Sequence, residues 1–202
     1  MFDSLTLFKS NIEDARNLTS LYEYLESTVI APLSFEDLLR SQIVYSVSAF
    51  DKLIHDVICT GMVDIFAGRR NSTSKYESEP LSISIYNEIN AATIPPKEYV
   101  FEQAIRRKLK KNSYQDPSNV AEGLSYIWEE KHKWQKIAAT MSMSDKESKT
   151  RLRLIVDRRN IIVHEADIDP ETKNKIPINQ DDARSTSDFI YKCGENIVNL
   201  LT

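Results

Sequence analysis

The chain has 202 residues, of which 41% are hydrophobic and 28% are charged, and its formal net charge is −4. This composition excludes a fibrous or disordered chain, and the negative charge argues against broad, sequence-independent binding of long nucleic acids. The length suits a single domain over residues 1–202. Four glycines are too few for the turns of a many-stranded β protein, so we expect long helices.

Membrane and secretion signals are not found in the sequence. No apolar run reaches the roughly 18 residues that a membrane span needs, and the N-terminus lacks a basic segment followed by an apolar core. We therefore expect a cytoplasmic protein with no membrane partner. Cys59 and Cys193 lie far apart in apolar patterns, so we expect both to be reduced residues of the core.

The first half of the chain predicts two helices and a polar connection. Apolar residues at helical spacing indicate a helix over residues 11–28. After Pro32, Ser34 and two acidic residues are typical of a helix start, and an apolar stripe continues to about Phe66. Residues 68–80 read as a polar loop, whereas residues 81–90 fit either a strand or a helix.

The second half predicts at least four more helices. One follows Pro95 and Pro96 as far as about Lys111, and one begins at Asp116 and Pro117 and extends past Ile137. The spacing of Ser144 to Glu147 is that of a capping box, and the helix that it opens runs through residues 151–167. A last helix begins near Asn179. The sequence therefore predicts an all-α bundle of six or seven helices.

Arg159 interrupts the apolar stripe of the helix over residues 151–167. At 100° per residue, this arginine falls in the middle of a stripe that faces the core. A guanidinium is costly to bury alone, so Arg159 should meet an anion, a cavity or another subunit. One interpretation is a structural ion pair with a carboxylate such as Asp51, with His164 only ending the helix.

The other interpretation is phosphoryl transfer within RNA. Asn160 and His164 are four residues apart on the polar flank beside Arg159, close enough to touch. A histidine can move a proton to or from an RNA hydroxyl, and an arginine can stabilise the charge that builds on the phosphate. This chemistry needs no metal and no cofactor. Asp51 and His55, again four apart, are candidate supporting residues.

Two basic clusters are candidate RNA contacts. One contains Arg106 and Arg107 in the run RRKLKK, and the other contains Arg153 and Arg158. A charge run is more often a solvated helix face, so both interpretations stay open. The segment after His164 is acidic and would repel an RNA backbone, which directs the expected substrate path towards the basic clusters.

The segment from Arg159 to His164, Arg-Asn-Ile-Ile-Val-His, resembles the ribonuclease motif of the HEPN superfamily. The block from Ser46 to Asp56 on the second predicted helix, residues 134–138 and residues 158–167 are similar to blocks of its RiboL-PSP branch. The resemblance extends over roughly residues 34–200, most of the chain.

The resemblance implies a helical bundle that forms a homodimer, in which two copies of the motif face each other across one composite site. In that site Arg159 would bind the scissile phosphate, His164 would be acid or base, and Asn160 would orient the histidine or the phosphate. The product would carry a 2′,3′-cyclic phosphate. The implied role is that of a toxin, phage-defence or stress effector, with an antitoxin or defence-system protein as partner.

Two other functions remain open. A non-catalytic dimerisation or RNA-binding module would keep the motif for structure, and a nucleotide-binding domain would show no cleavage. The sequence contains no glycine-rich phosphate loop that would support nucleotide binding. In HEPN toxins that are silenced by nucleotide transfer, a tyrosine lies two residues after the histidine. Here that residue is Ala166, which argues against this form of regulation.

Overall fold

A computed structural model describes residues 1–30 and 32–202, and over these residues it contains nine helices. They are α1 (Phe2–Thr28), α2 (Glu36–Phe66), α3 (Ser74–Glu77), α4 (Ile83–Ala91), α5 (Lys97–Leu109), α6 (Pro117–Leu124), α7 (Lys133–Thr140), α8 (Asp145–His164) and α9 (Gln180–Leu201). The all-helical prediction is confirmed. The predicted number of six or seven helices is too low, because the short helices α3 and α4 add to it and one predicted helix is divided.

Helix α2 is the centre of the bundle and packs against α1, α5, α8 and α9. Its apolar residues face several sides, and Val47, Phe50, Ile54 and Val57 are fully buried. A helix that is apolar around most of its circumference is stable only when neighbours surround it. Ile127, in the segment between α6 and α7, also packs against α2. It lies so close to Gly61 that a Cβ atom at this glycine would be 2.6 Å from Cγ2 of Ile127.

The helix predicted from Asp116 past Ile137 is two helices, α6 and α7. After Leu124 the backbone makes short-range bonds, such as Ile127 N–H to Leu124 O at 3.0 Å, and the helix ends. Trp134 Nε1 donates to Pro117 O at 2.7 Å, which holds the start of α7 against the start of α6. The turn lets Ile127 pack on α2, and a continuous helix would not.

Two of the three capping predictions are confirmed, whereas at the start of α2 the cap position is Phe35 and Ser34 Oγ accepts the N–H of Glu36 at 3.2 Å. Ser144 Oγ accepts the backbone N–H of Glu147 at 3.1 Å and begins α8, and Asp116 caps α6 in a similar way. Residues 81–90, for which a strand and a helix were both open, form α4 with Ser82 as its cap. Helix α1 begins at Phe2, earlier than expected.

No helix of the described residues is long and apolar enough to cross a membrane. Cys59 and Cys193 are free and buried, as predicted. Burial raises the pKa of the Cys59 thiol to about 11 and that of the Cys193 thiol to about 12. Both thiols are therefore held in the protonated form at neutral pH.

Candidate functional site

The apolar residues that precede Arg159 in α8 pack in the core and so place Arg159 beside α2. Leu152, Ile155 and Val156 are buried in the core, and Arg159 continues the same face one turn later. Its guanidinium donates from Nη1 to Asn160 Oδ1 at 3.0 Å. Its Nε is shielded from solvent and has no hydrogen-bond partner. The alternative of a structural ion pair with Asp51 is not what the structure shows.

The Arg159 side chain lines a groove of about 530 Å³ between α2, α8, the end of α5 and the segment after it. This groove is lined by Ser48, Asp51, Lys52, His55, Asp56, Cys59, Arg106, Leu109, Lys110, Asn112, Gln115 and Arg159. Four of the predicted site residues, Arg159, Asp51, His55 and Arg106, therefore meet in one place. A smaller cavity of about 320 Å³ between Lys75 and Tyr126 contains none of them.

Asp51 and His55 fix one wall of the groove. Asp51 accepts the backbone N–H of Tyr114 at 2.6 Å and the side-chain amide of Gln115 at 3.4 Å. His55 Nε2 lies 3.9 Å from Asp51 Oδ1, and its ring meets the ring of Tyr114 edge to face at 4.6 Å. These contacts tie the segment after α5 to α2, so both residues shape the groove.

The basic residues of the groove differ in how strongly they are neutralised. Arg106 donates to Asp56 at 2.9 Å and to Glu102 at 2.8 Å, and Lys52 donates to Asp56 at 2.8 Å. Burial opposes the charge of Arg106, but the hydrogen bonds to Asp56 and Glu102 outweigh it and raise its pKa. Lys110 is exposed, and no carboxylate of the described residues pairs with it. Lys110 is therefore the lining cation most available to a ligand.

His164 and Asn160 lie outside this lining. His164 is the last residue of α8 and is exposed, whereas Asn160 is half-buried. A rotation of 100° per residue places His164 about 140° around the helix from Arg159. Within one copy of the chain, the imidazole and the guanidinium therefore point to different surfaces.

The other predicted RNA contacts are also separate from the groove, apart from Arg106. Arg107 is exposed on α5 and does not line it. Arg153 is exposed, with its Nε 3.6 Å from Asp116 Oδ2. Arg158 is paired with Asp167, which is almost fully buried. RNA binding by these three arginines stays a prediction.

Sequence reasoning did not single out Lys52, Asp56, Lys110, Asn112 and Gln115, which the fold brings to the groove. Lys110 had a signal because it belongs to the basic run RRKLKK, and Lys52 and Asp56 had one because they lie in the block from Ser46 to Asp56. Among the described residues, no group of three or more His, Cys, Asp or Glu side chains is arranged to hold a metal ion.

Comparison with known proteins gives one match. The family model described as RiboL-PSP-HEPN matches residues 9–202, which is nearly the whole chain. Neither a curated protein nor a solved structure matches significantly.

Proposed function

The chain belongs to the RiboL-PSP-HEPN family, and we propose that it is an endoribonuclease that cleaves RNA without a metal. One observation carries the proposal. Arg159 lines a groove that also holds the unpaired Lys110, no carboxylate of the described residues pairs with its guanidinium, and its shielded Nε has no partner. A cation left in this state is stabilised when an anion enters, and a phosphodiester supplies that anion with a geometry that the guanidinium fork matches.

The reaction that suits these groups is attack by the 2′-hydroxyl on the adjacent phosphorus. The hydroxyl loses its proton, a new P–O2′ bond forms, the P–O5′ bond breaks, and the leaving 5′ oxygen gains a proton. Arg159 stabilises the negative charge that builds on the phosphate oxygens, and His164 transfers one of the two protons. Asn160, bonded to Arg159 Nη1, orients the guanidinium. The products are a 2′,3′-cyclic phosphate and a 5′-hydroxyl.

The separation of Arg159 from His164 within one copy supports a homodimer with a composite site. A two-fold axis beside α8 would bring the His164 of one copy towards the Arg159 of the other. Apolar side chains are exposed on this side, namely Tyr45 of α2 at 57% and Val163 of α8 at 45%. Tyr45 also borders two shallow surface grooves, one of them against α1 and the other against Ile162. A second copy would cover this surface.

For the role in the cell we propose a toxin, phage-defence or stress effector, restrained by an antitoxin or a defence-system protein. The reason is chemical: a nuclease that needs no metal is active wherever it is folded, so its activity has to be limited by another molecule.

The proposed activity is tested by incubating total RNA in EDTA with the wild type, His164→Ala and His132→Ala. His132 is an exposed histidine at the start of α7, so its removal is the matched control. We expect fragments with cyclic-phosphate ends from the wild type and His132→Ala, and none from His164→Ala. Cleavage by a clean His164→Ala preparation would exclude the assignment of His164. Binding of RNA without cleavage by the wild type would favour a non-catalytic RNA-binding module.

The composite site has its own test, a mixture of the inactive variants Arg159→Ala and His164→Ala. Mixed dimers would contain one intact Arg159 and one intact His164, so cleavage should return when the two proteins are unfolded together and refolded. A mixture that stays inactive, or a wild type that is monomeric by light scattering, would contradict the dimer.

A further inference from the structure

A buried carboxylate, Asp167, lies between two arginines at the C-terminal end of α8. It accepts from Arg40 Nε of α2 at 2.6 Å and from Arg158 Nη2 at 2.9 Å, and Arg158 Nη1 is bonded to it as well. The Asp167 side chain is 1% exposed and that of Arg40 is 5% exposed. These three residues form the Asp167 cluster, which joins α8 to α2.

The same residue directs the backbone that follows His164. Ala166 and Asp167 both have positive φ, 54° and 60°, a left-handed conformation that is unfavourable for a residue with a side chain. Asp167 N–H returns to Ile161 O at 3.1 Å, and Asp167 O accepts from Ile176 N–H at 2.8 Å. The strained turn is maintained because the two arginines hold the Asp167 side chain in place.

The Asp167 cluster encloses the end of the helix that carries His164. Arg158 lies on the N-terminal side of the histidine and Asp167 on its C-terminal side, whereas the imidazole itself is exposed. Among the described residues, His55 is the only histidine whose imidazole nitrogen lies within 4 Å of a carboxylate oxygen. The place of the His164 ring is therefore determined by the backbone at the helix end, and no carboxylate orients it directly.

We propose that Asp167 is a positioning residue for His164, and that Arg40 and Arg158 act through it; this inference rests on the proposed nuclease function. Arg158 is then assigned to the helix end and not to RNA. Arg158 also donates to Ile176 O at 3.3 Å, so its guanidinium is engaged by protein on two sides.

The test compares Asp167→Asn with Glu171→Gln, which removes the same charge from an exposed site in the same turn. Two measurements are needed, the kcat and KM of RNA cleavage and the imidazole NMR signals of the three histidines. For Asp167→Asn we expect kcat to fall at least tenfold with KM within twofold. The His164 signal should shift or broaden while those of His55 and His132 stay in place. Glu171→Gln should resemble the wild type in all of these.

The outcomes separate the alternatives. An unchanged His164 signal in folded Asp167→Asn would overturn the proposal, and so would a raised KM with unchanged kcat, which would assign the cluster to RNA binding. If Asp167→Asn does not fold, Arg158→Lys, which keeps the charge and loses the paired hydrogen bonds, must show the same selective change. The NMR measurement does not depend on cleavage. A wild type without nuclease activity would therefore refute the proposed function and leave the test of positioning intact.

Discussion

Replacing Arg159 with methionine separates a catalytic arginine from a structural one. Methionine matches the arginine side chain as far as Nε and has no charge, so the variant removes the shielded Nε that has no partner. An unsatisfied shielded N–H costs about 1–3 kcal/mol. The Arg159–Asn160 hydrogen bond, which is lost with it, is charge-assisted and contributes about 1.5–3 kcal/mol.

The two contributions nearly cancel. We expect the free energy of unfolding of Arg159→Met to stay within about 1 kcal/mol of the wild type, which is within roughly 2–4 °C in Tm for a domain of this size. Cleavage should fall by about 10²–10³-fold, as when a group that stabilises a developing oxyanion is removed. Urea and thermal unfolding give the stability, and cleavage of a labelled RNA gives the activity.

Arg70→Met is the matched control. Arg70 donates from Nε to Ile127 O at 3.1 Å and from Nη2 to Leu201 O at 3.0 Å, so both of these groups are satisfied by the protein. Its replacement should lower the free energy of unfolding by about 2 kcal/mol or more, because two charge-assisted bonds are lost. If Arg159→Met loses as much stability as Arg70→Met and still cleaves RNA, Arg159 is structural and the reasoning is refuted.

Two further predictions concern the groove and the buried thiols. Lys110→Ala should weaken RNA binding about threefold and reduce the slope of log affinity against log salt by about 1, whereas Lys146→Ala, at an exposed site near the start of α8, should change neither. Equal effects of the two variants would show that Lys110 is no more important for RNA binding than any exposed lysine. The raised pKa values of Cys59 and Cys193 mean that the unfolded chain, with thiol pKa near 8.5, releases these protons first, so stability should fall as pH rises above about 8.5. Urea unfolding between pH 8 and 9.5 should show this slope in the wild type and a smaller one in the Cys59→Ala, Cys193→Ala double variant.

Local signals in the sequence predicted the helices where side chain and backbone interact within one turn. Ser144 and Asp116 begin α8 and α6 as expected, because a cap needs only the next two or three residues. The division between α6 and α7 was not predictable in this way. It depends on Trp134 reaching Pro117 O and on Ile127 reaching Gly61, and both contacts exist only in the folded chain.

The candidate site shows the same limit. Helical spacing placed Arg159 on an apolar face, and the structure confirms a half-buried side chain there. The residues that make this place a groove, such as Lys110 and Gln115, come from another helix and its following segment. The sequence predicted the same role, an RNA contact, for Arg153 and Arg158. In the structure Arg153 is exposed, whereas Arg158 is bound to the buried carboxylate of Asp167.

Arg158 and Arg159 are neighbours in sequence with opposite environments, and the contrast explains how α8 can hold an unsatisfied cation. Because successive residues are 100° apart on a helix, Arg158 reaches Asp167 while Arg159 reaches the groove. The bonds of Arg158 and the buried Leu152 and Ile155 fix the helix, so the backbone of Arg159 is held beside the groove, where its guanidinium donates to Asn160 and pairs with no carboxylate of the described residues. On the function proposed above, a phosphate in the groove would supply the anion that this guanidinium lacks.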